Sequence, residues 1–205
     1  MEGFMGISKQ AKTLSKQQVD IISDYLLSKR NGIRNLVIFL LSVKAGLRAK
    51  EISALKWCMI LKSDGTLGEE IHLTNEASKG SGGGRAIPLN KQLRQALLNL
   101  FDDEVKNNTV FDAHKDFVVR TERRSSTTPQ AVVNQFQGWY EAFGLVGCSS
   151  HSGRRTFITN TARKISTVGG SLKDIQALAG HSSLQTTQRY IDENKDAKRR
   201  VVDLA

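Results

Sequence analysis

The sequence predicts a mostly helical α+β domain with one small antiparallel β-sheet. Three observations carry that expectation. Apolar residues recur at three- and four-residue spacing through most of the chain, the mark of helices with one buried face. Short β-prone runs are confined to the stretch between Trp57 and Leu89, where glycines and polar residues separate them. Finally, 205 residues of ordinary hydrophobic content suit one domain. A globule of that size buries roughly 70% of its unfolded surface and needs no staples.

Taken in order, Met1 to Thr13 has no period and reads as an arm. Ser15 with Gln18 forms a capping-box pattern that opens a helix buried through Val19, Ile22 and Leu26. Asn31-Gly32 breaks it. A second helix, from about Ile33 to Lys44, is apolar on nearly all sides and belongs inside the core, with Gly46 as its stop. A third runs from about Ala49 to Leu55. Trp57 to Leu61, Glu70 to Thr74 and Arg85 to Leu89 read as three short strands, the last two flanking a glycine-rich connection. Asn90 caps a helix to about Phe101. Thr128-Pro129 starts another that ends at Gly144, the proline at the first helical position. Its Phe136, Trp139, Tyr140 and Phe143 read as core. A helix from Ser152 to about Lys164, a loop from Thr167 to Gly170, a short helix from Ser171 to Gly180, and a helix from Ser182 or Ser183 through Tyr190 complete the domain.

Charge narrows the class of partner. Thirty Lys and Arg against twenty Asp and Glu leave a formal +10, which suits phosphate neutralisation on nucleic acid. The longest strongly apolar run, Leu36 to Leu41, is far too short to span a bilayer, and the N-terminus lacks a signal-peptide pattern. No membrane association and a cytoplasmic location are expected. Cys58 and Cys148 are distant in sequence and read as reduced packing residues. Asp102, Asp103 and Glu104 with His114 fit no standard ligand spacing, so neither a metal nor another cofactor is expected.

The candidate chemistry gathers between Ser149 and Ile191. His151 and Arg154 are three apart at the start of a helix, an end whose free N–H groups already attract phosphate. Gly180-His181 and Tyr190 follow. Upstream, Arg48 sits just before a helix, where its charge opposes the helix dipole and hints at an anion nearby. Glu51, three residues on, can reach back to it. Taken alone, Arg48 is also what a surface arginine looks like, and Lys79 in its glycine-rich loop is also what a solvated charge looks like.

Four blocks in order change that balance. Ala45-Gly-Leu-Arg48-Ala-Lys-Glu51, Ser78-Lys79-Gly80, His151-Ser-Gly-Arg154 and Leu178-Ala-Gly180-His181 continuing to Thr187 and Tyr190 together resemble the signature of the tyrosine recombinases, the phage-integrase family. The resemblance runs from about Leu14 to Tyr190. It implies that fold's catalytic domain and a site-specific DNA recombinase that cleaves and rejoins strands through a 3′-phosphotyrosyl intermediate, without metal or ATP. It implies the catalytic set Arg48, Lys79, His151, Arg154, His181 and Tyr190, supported by Glu51. Lys50, Arg85, Arg120, Arg123, Arg124 and Arg155 are expected to contact DNA. The implied partners are double-stranded DNA and, in a synaptic complex, three further copies of the chain, the free protein being compatible with a monomer. A nucleoid-associated protein of bacterial, phage or mobile-element origin fits these expectations.

Within the same chemistry, a type IB topoisomerase is the alternative, and a DNA-binding regulator of the same fold that has lost turnover is the alternative from another class. The expected organisation is an arm over residues 1–13, the catalytic domain over 14–191, and a tail over 192–205 that docks on its own domain or a neighbour. Two departures from the family stand out: an extra Ala179 before Gly180-His181, and a loop of Gly82, Gly83 and Gly84 one residue longer than the common form. Most relatives also carry a helical N-terminal domain. The length here fits either a naturally minimal recombinase, which Met1 and the leader favour, or the catalytic part of a longer integrase.

Overall fold

The computed structural model describes residues 11–78, 84–121, 126–192 and 202–203. Lys79 with its loop, Arg123, Arg124, residues 1–10 of the arm and nearly all of the tail after Asp192 lie outside the described residues.

Eight α-helices and one two-stranded sheet make up the described architecture. Helix α1 (Lys16–Leu27) begins with the capping box: the Ser15 side chain accepts from Gln18 N, and the Gln18 side chain accepts from Ser15 N. That exchange satisfies backbone donors that a helix start leaves free. Helix α2 (Gly32–Ala45) is the centre of the fold. Leu36 to Val43 are all buried, as a helix apolar on every side requires, and α1, a later helix α4 (Lys91–Asn107) and α6 (Ser152–Lys164) pack around it. It stops at Gly46 in the left-handed region. Helix α3 (Ala49–Ala54) packs on α5 (Pro129–Ala142), whose Phe136 and Tyr140 enter the core as expected.

The sheet pairs β1 (Glu70–Leu73) with β2 (Arg85–Pro88) antiparallel, Ile71 opposite Ile87. The third expected strand does not form. Trp57–Met59 is a 3-10 turn, its N–H bonds folding back locally from Ile60 and Leu61 to the Trp57 carbonyl. The reason is the indole. Trp57 is wholly buried, with Phe101 and Phe111 rings 5.1 and 6.5 Å away. A tight turn drives it into the core, whereas an edge strand would place alternate residues outside. Helix α4 also continues six residues beyond the expected Phe101, because Glu104 turns inward as a fourth-turn anchor, 7% exposed and paired with Arg120 at 2.9 Å. The loop expected from Thr167 to Gly170 is shorter, since Ile165–Val168 forms a 3-10 turn before left-handed Gly169.

Two short helices, α7 (Leu172–Ala179) and α8 (Leu184–Asp192), pack on α6 around a second, smaller apolar cluster of Ile158, Ile175 and Ala179. The chain before α1 is tied to α6 as well. Leu14 N donates to Thr156 Oγ1 at 2.8 Å and Lys12 N to the Gly147 carbonyl. No helix among the described residues is long and apolar enough to cross a membrane.

Candidate active site

The site is built on the C-terminal end of α7. A helix end leaves carbonyls without intrahelical partners and carries a partial negative charge. Here three successive carbonyls each accept from a different arginine. Arg85 Nε donates to Leu178 O at 3.1 Å, Arg154 Nη2 to Ala179 O at 2.6 Å, and Arg48 Nη2 to Gly180 O at 3.3 Å. Residues from β2, from α6 and from the turn before α3 therefore converge on one point. Gly180 makes this approach possible. Its φ of +59° is left-handed, and a Cβ there would lie 2.7 Å from Arg85 Nη1.

A single carboxylate holds the cluster in register. Glu51, with no exposed side-chain surface, accepts from Arg48 N at 2.7 Å and Arg48 Nη1 at 2.9 Å. It also accepts from Arg85 Nη1 and Nη2 at 2.8 and 2.9 Å, the two-pronged geometry that guanidinium and carboxylate share. Burial pushes the Glu51 carboxyl upward, but the hydrogen bonds and charges of Arg85 and Arg48 outweigh it and hold it below its ordinary 4.5. Glu51 is thus the anion that the position of Arg48 called for.

Arg154 is 5% exposed, clamped between the Gly46 and Ala179 carbonyls at 2.6 Å each. Burial, with the charges of Arg48 and Arg85, lowers it to about 10, so it remains cationic at neutral pH. Its two carbonyl bonds use two of five N–H donors, leaving capacity for a ligand. Three guanidiniums against one carboxylate give the cluster two net positive charges.

His181 follows Gly180 directly. Its Nδ1 lies 3.0 Å from Thr187 Oγ1, and its ring stacks on Tyr190 with centroids 5.6 Å apart and planes at 20°. Burial and the charges of Arg154, Arg48 and Arg85 push it down from 6.5 to about 4, so it is neutral at pH 7. Tyr190, half-buried on α8, packs on the Ile158 cluster, and the Arg155 guanidinium lies 5.6 Å from its ring centroid. A pocket of about 450 Å³ opens beside it, lined by Lys12, Thr13, Arg155, Thr159 and Arg163.

Arg48, Glu51, Arg154, His181 and Tyr190 come together as the sequence led us to expect. His151 is the exposed N-cap of α6, three residues ahead of Arg154 but without a described side-chain bond to the cluster. Lys50 is exposed on α3. Arg120 is engaged with Glu104 and lies outside the cluster. Arg85, expected to face DNA, is instead only 10% exposed and committed to Glu51 and Leu178. Thr187 stands in the sequence only as a member of the block from Gly180 to Tyr190, with no role of its own. Its place six residues after the histidine, on the inner face of α8, was the available signal. Of the other tyrosines, Tyr140 is 2% exposed with its hydroxyl pushed well above 10 by burial, and Tyr25 packs edge-on against Phe143.

Both the sequence and the fold have relatives among known proteins. The model of the phage integrase family matches residues 12–197. Among curated proteins, "Tyrosine recombinase XerC" of Chlamydia trachomatis serovar D is 29% identical over 178 residues, which cover 86% of this chain and 52% of that protein. The protein of the same name from Chlamydia pneumoniae is 32% identical over 165 residues, covering 80% and 48%. The chain thus spans about half the length of the curated relatives it matches. The crystal structure of XerA recombinase aligns over 99% of this chain and 66% of its own at a TM-score of 0.72 and 20% identity. A lambda integrase dimer bound to a COC′ core site aligns over 92% and 50% at 0.65 and 20%. At such identities these two structures establish the shared fold.

Proposed function

Because the chain belongs to the phage integrase family, we propose that it is a site-specific DNA recombinase working through a 3′-phosphotyrosyl intermediate. The observation that carries this reading is the triple arginine clamp on the α7 carbonyls, set directly against His181 and Tyr190.

A phosphodiester repels nucleophiles through its own oxygens, so catalysis is positioning plus stabilisation of developing charge. Arg48 and Arg154 hold the non-bridging oxygens, a guanidinium being able to bind two of them side by side. His181 donates a further hydrogen bond to the same oxygens. Tyr190 attacks the phosphorus. A free tyrosine is ionised in only about one molecule in a thousand at neutral pH, so a proton acceptor is needed, and His151 is the group assigned to it. The 5′-deoxyribose oxygen leaves with a proton from Lys79. The new P–O bond to tyrosine replaces the one broken, so a 5′-hydroxyl of another strand reverses the step and reseals the backbone. Glu51 and Arg85 fix the arginines without touching DNA. Lys50, Arg120, Arg123, Arg124 and Arg155 contribute phosphate contacts on the flanks. Duplex DNA is the partner, with four copies of the chain in the synaptic assembly.

The test is covalent trapping on nicked duplexes carrying the repeats that flank the gene. Wild-type chain is expected to give a denaturant-resistant complex. Tyr190→Phe should abolish it while leaving DNA binding intact, and Tyr140→Phe should leave it unchanged. Undiminished trapping by Tyr190→Phe overturns the assignment, and relaxation of supercoils without site preference would move the reading to a topoisomerase.

A further inference from the structure

His181 is held from behind by the next helix. Thr187 is wholly buried, its Oγ1 lies 3.0 Å from His181 Nδ1, and its hydroxyl makes no other hydrogen bond among the described residues. A threonine within a helix commonly returns its hydroxyl proton to a carbonyl one turn earlier, and this one does not. A hydroxyl has one proton to give, and burying it without an acceptor costs about 1–3 kcal/mol. Nδ1 is the acceptor within reach. A proton on Nδ1 would turn the bond around and strand the hydroxyl's own.

Resting on the recombinase reading above, we propose that Thr187 is a positioning residue that donates to Nδ1 and so keeps His181 in the neutral tautomer protonated on Nε2. The ring then has no lone pair to offer. Its Nδ1 pair is taken by Thr187 and Nε2 carries the proton. His181 can donate to a phosphate oxygen and cannot take the proton of Tyr190, even though the two rings are stacked. The surroundings act in the same direction. The charged groups that bear on the ring are Arg154 from α6, Arg48 from the turn before α3 and Arg85 from β2, all cationic, with the Tyr190 ring against its face. Each guanidinium disfavours an imidazolium beside it. The two histidines are therefore divided in labour, one a fixed donor and the exposed His151 the proton carrier.

Nitrogen-15 spectra of the full 205-residue chain decide the tautomer without DNA, the His181 ring signals being assigned by their absence in His181→Gln. The expected pattern at pH 7 is a protonated Nε2 and an unprotonated Nδ1. Thr187→Val keeps the shape and removes the donor. It should give mixed tautomers, a His181 titration moved upward, and covalent trapping on a nicked duplex slowed roughly tenfold, the worth of one hydrogen bond. Thr187→Ser should restore all three. A protonated Nδ1 in the wild-type chain overturns the proposal, and this readout survives if the valine variant fails to fold. A folded Thr187→Val with unaltered rate and pH profile also overturns it. Failure of the wild-type chain to trap any nicked duplex would instead sink the recombinase reading and the phosphate-donor role with it, while the spectra still settle the tautomer.

Discussion

Glu51 and Arg85, 34 residues apart in sequence and on different elements, meet in a two-pronged ion pair at 2.8 and 2.9 Å, with the carboxylate wholly buried. The same carboxylate also neutralises Arg48. Removing its charge strands two guanidiniums at a helix end. Glu51→Gln is therefore expected to destabilise the fold by about 3–5 kcal/mol, the usual cost of breaking a buried pair from one side. Chemical unfolding measures this, and a change under about 0.5 kcal/mol would contradict the role assigned to Glu51.

Acid should weaken the same region in two stages. His181 is depressed from 6.5 to about 4, so between those values the unfolded chain binds a proton that the folded chain refuses. Stability consequently falls as pH drops through that window. Glu51 is held below its ordinary 4.5, so its contribution, complete above that value, is lost at still lower pH. Thermal midpoints followed from pH 7 to 3 should decline throughout, and His181→Gln should remove the upper part of the decline.

The contact of α2 with α6 offers a third test. A Cβ on Gly153 would clash with the Ser42 hydroxyl and lie 2.9 Å from Val43 Cγ1. Gly153→Ala should cost about 1–3 kcal/mol by overpacking. Under the recombinase reading it should also slow strand cleavage, because spreading these helices pulls Arg154 from the Gly46 carbonyl. Ser42→Ala, which only removes a buried hydroxyl without a partner among the described residues, should be neutral or mildly stabilising.

Salt should separate the surface arginines and lysines from the structural ones. With a formal +10, DNA affinity is expected to fall steeply with ionic strength. Lys50→Ala should flatten the log–log slope by about one phosphate contact, roughly 0.9, without changing the melting temperature. Arg85→Ala should do the reverse, lowering the melting temperature through loss of the Glu51 pair. Titrations at several salt concentrations beside melting curves distinguish the two.

Local signals reached the sequence and distant pairings did not. The Ser15 and Gln18 capping box and the all-apolar run around Phe39 are local, and α1 and α2 follow from them directly. Trp57 to Leu61 reads as a strand because a short apolar run does not reveal its period, whereas the deciding contacts come from Phe101 and Phe111, forty and more residues on. The C-terminal end of α4 is likewise set by packing, through the inward turn of Glu104. In the site, Arg48, Arg154, His181 and Tyr190 were legible from spaced motifs. Arg85 was not, since a basic residue beside a glycine-rich loop looks solvated until its carboxylate partner is known. The role of Thr187 depends on a single side-chain bond that spacing alone does not specify.

Arg154 is fastened at one hand to Gly46 and at the other to Ala179, so its setting exists only once the chain has folded to bring these two distant positions together. A nascent polypeptide, or one frayed at α7, has no assembled anion cradle. Under the recombinase reading, such a chain holds a tyrosine but cannot cut, and the genome is shielded from half-made copies by topology alone.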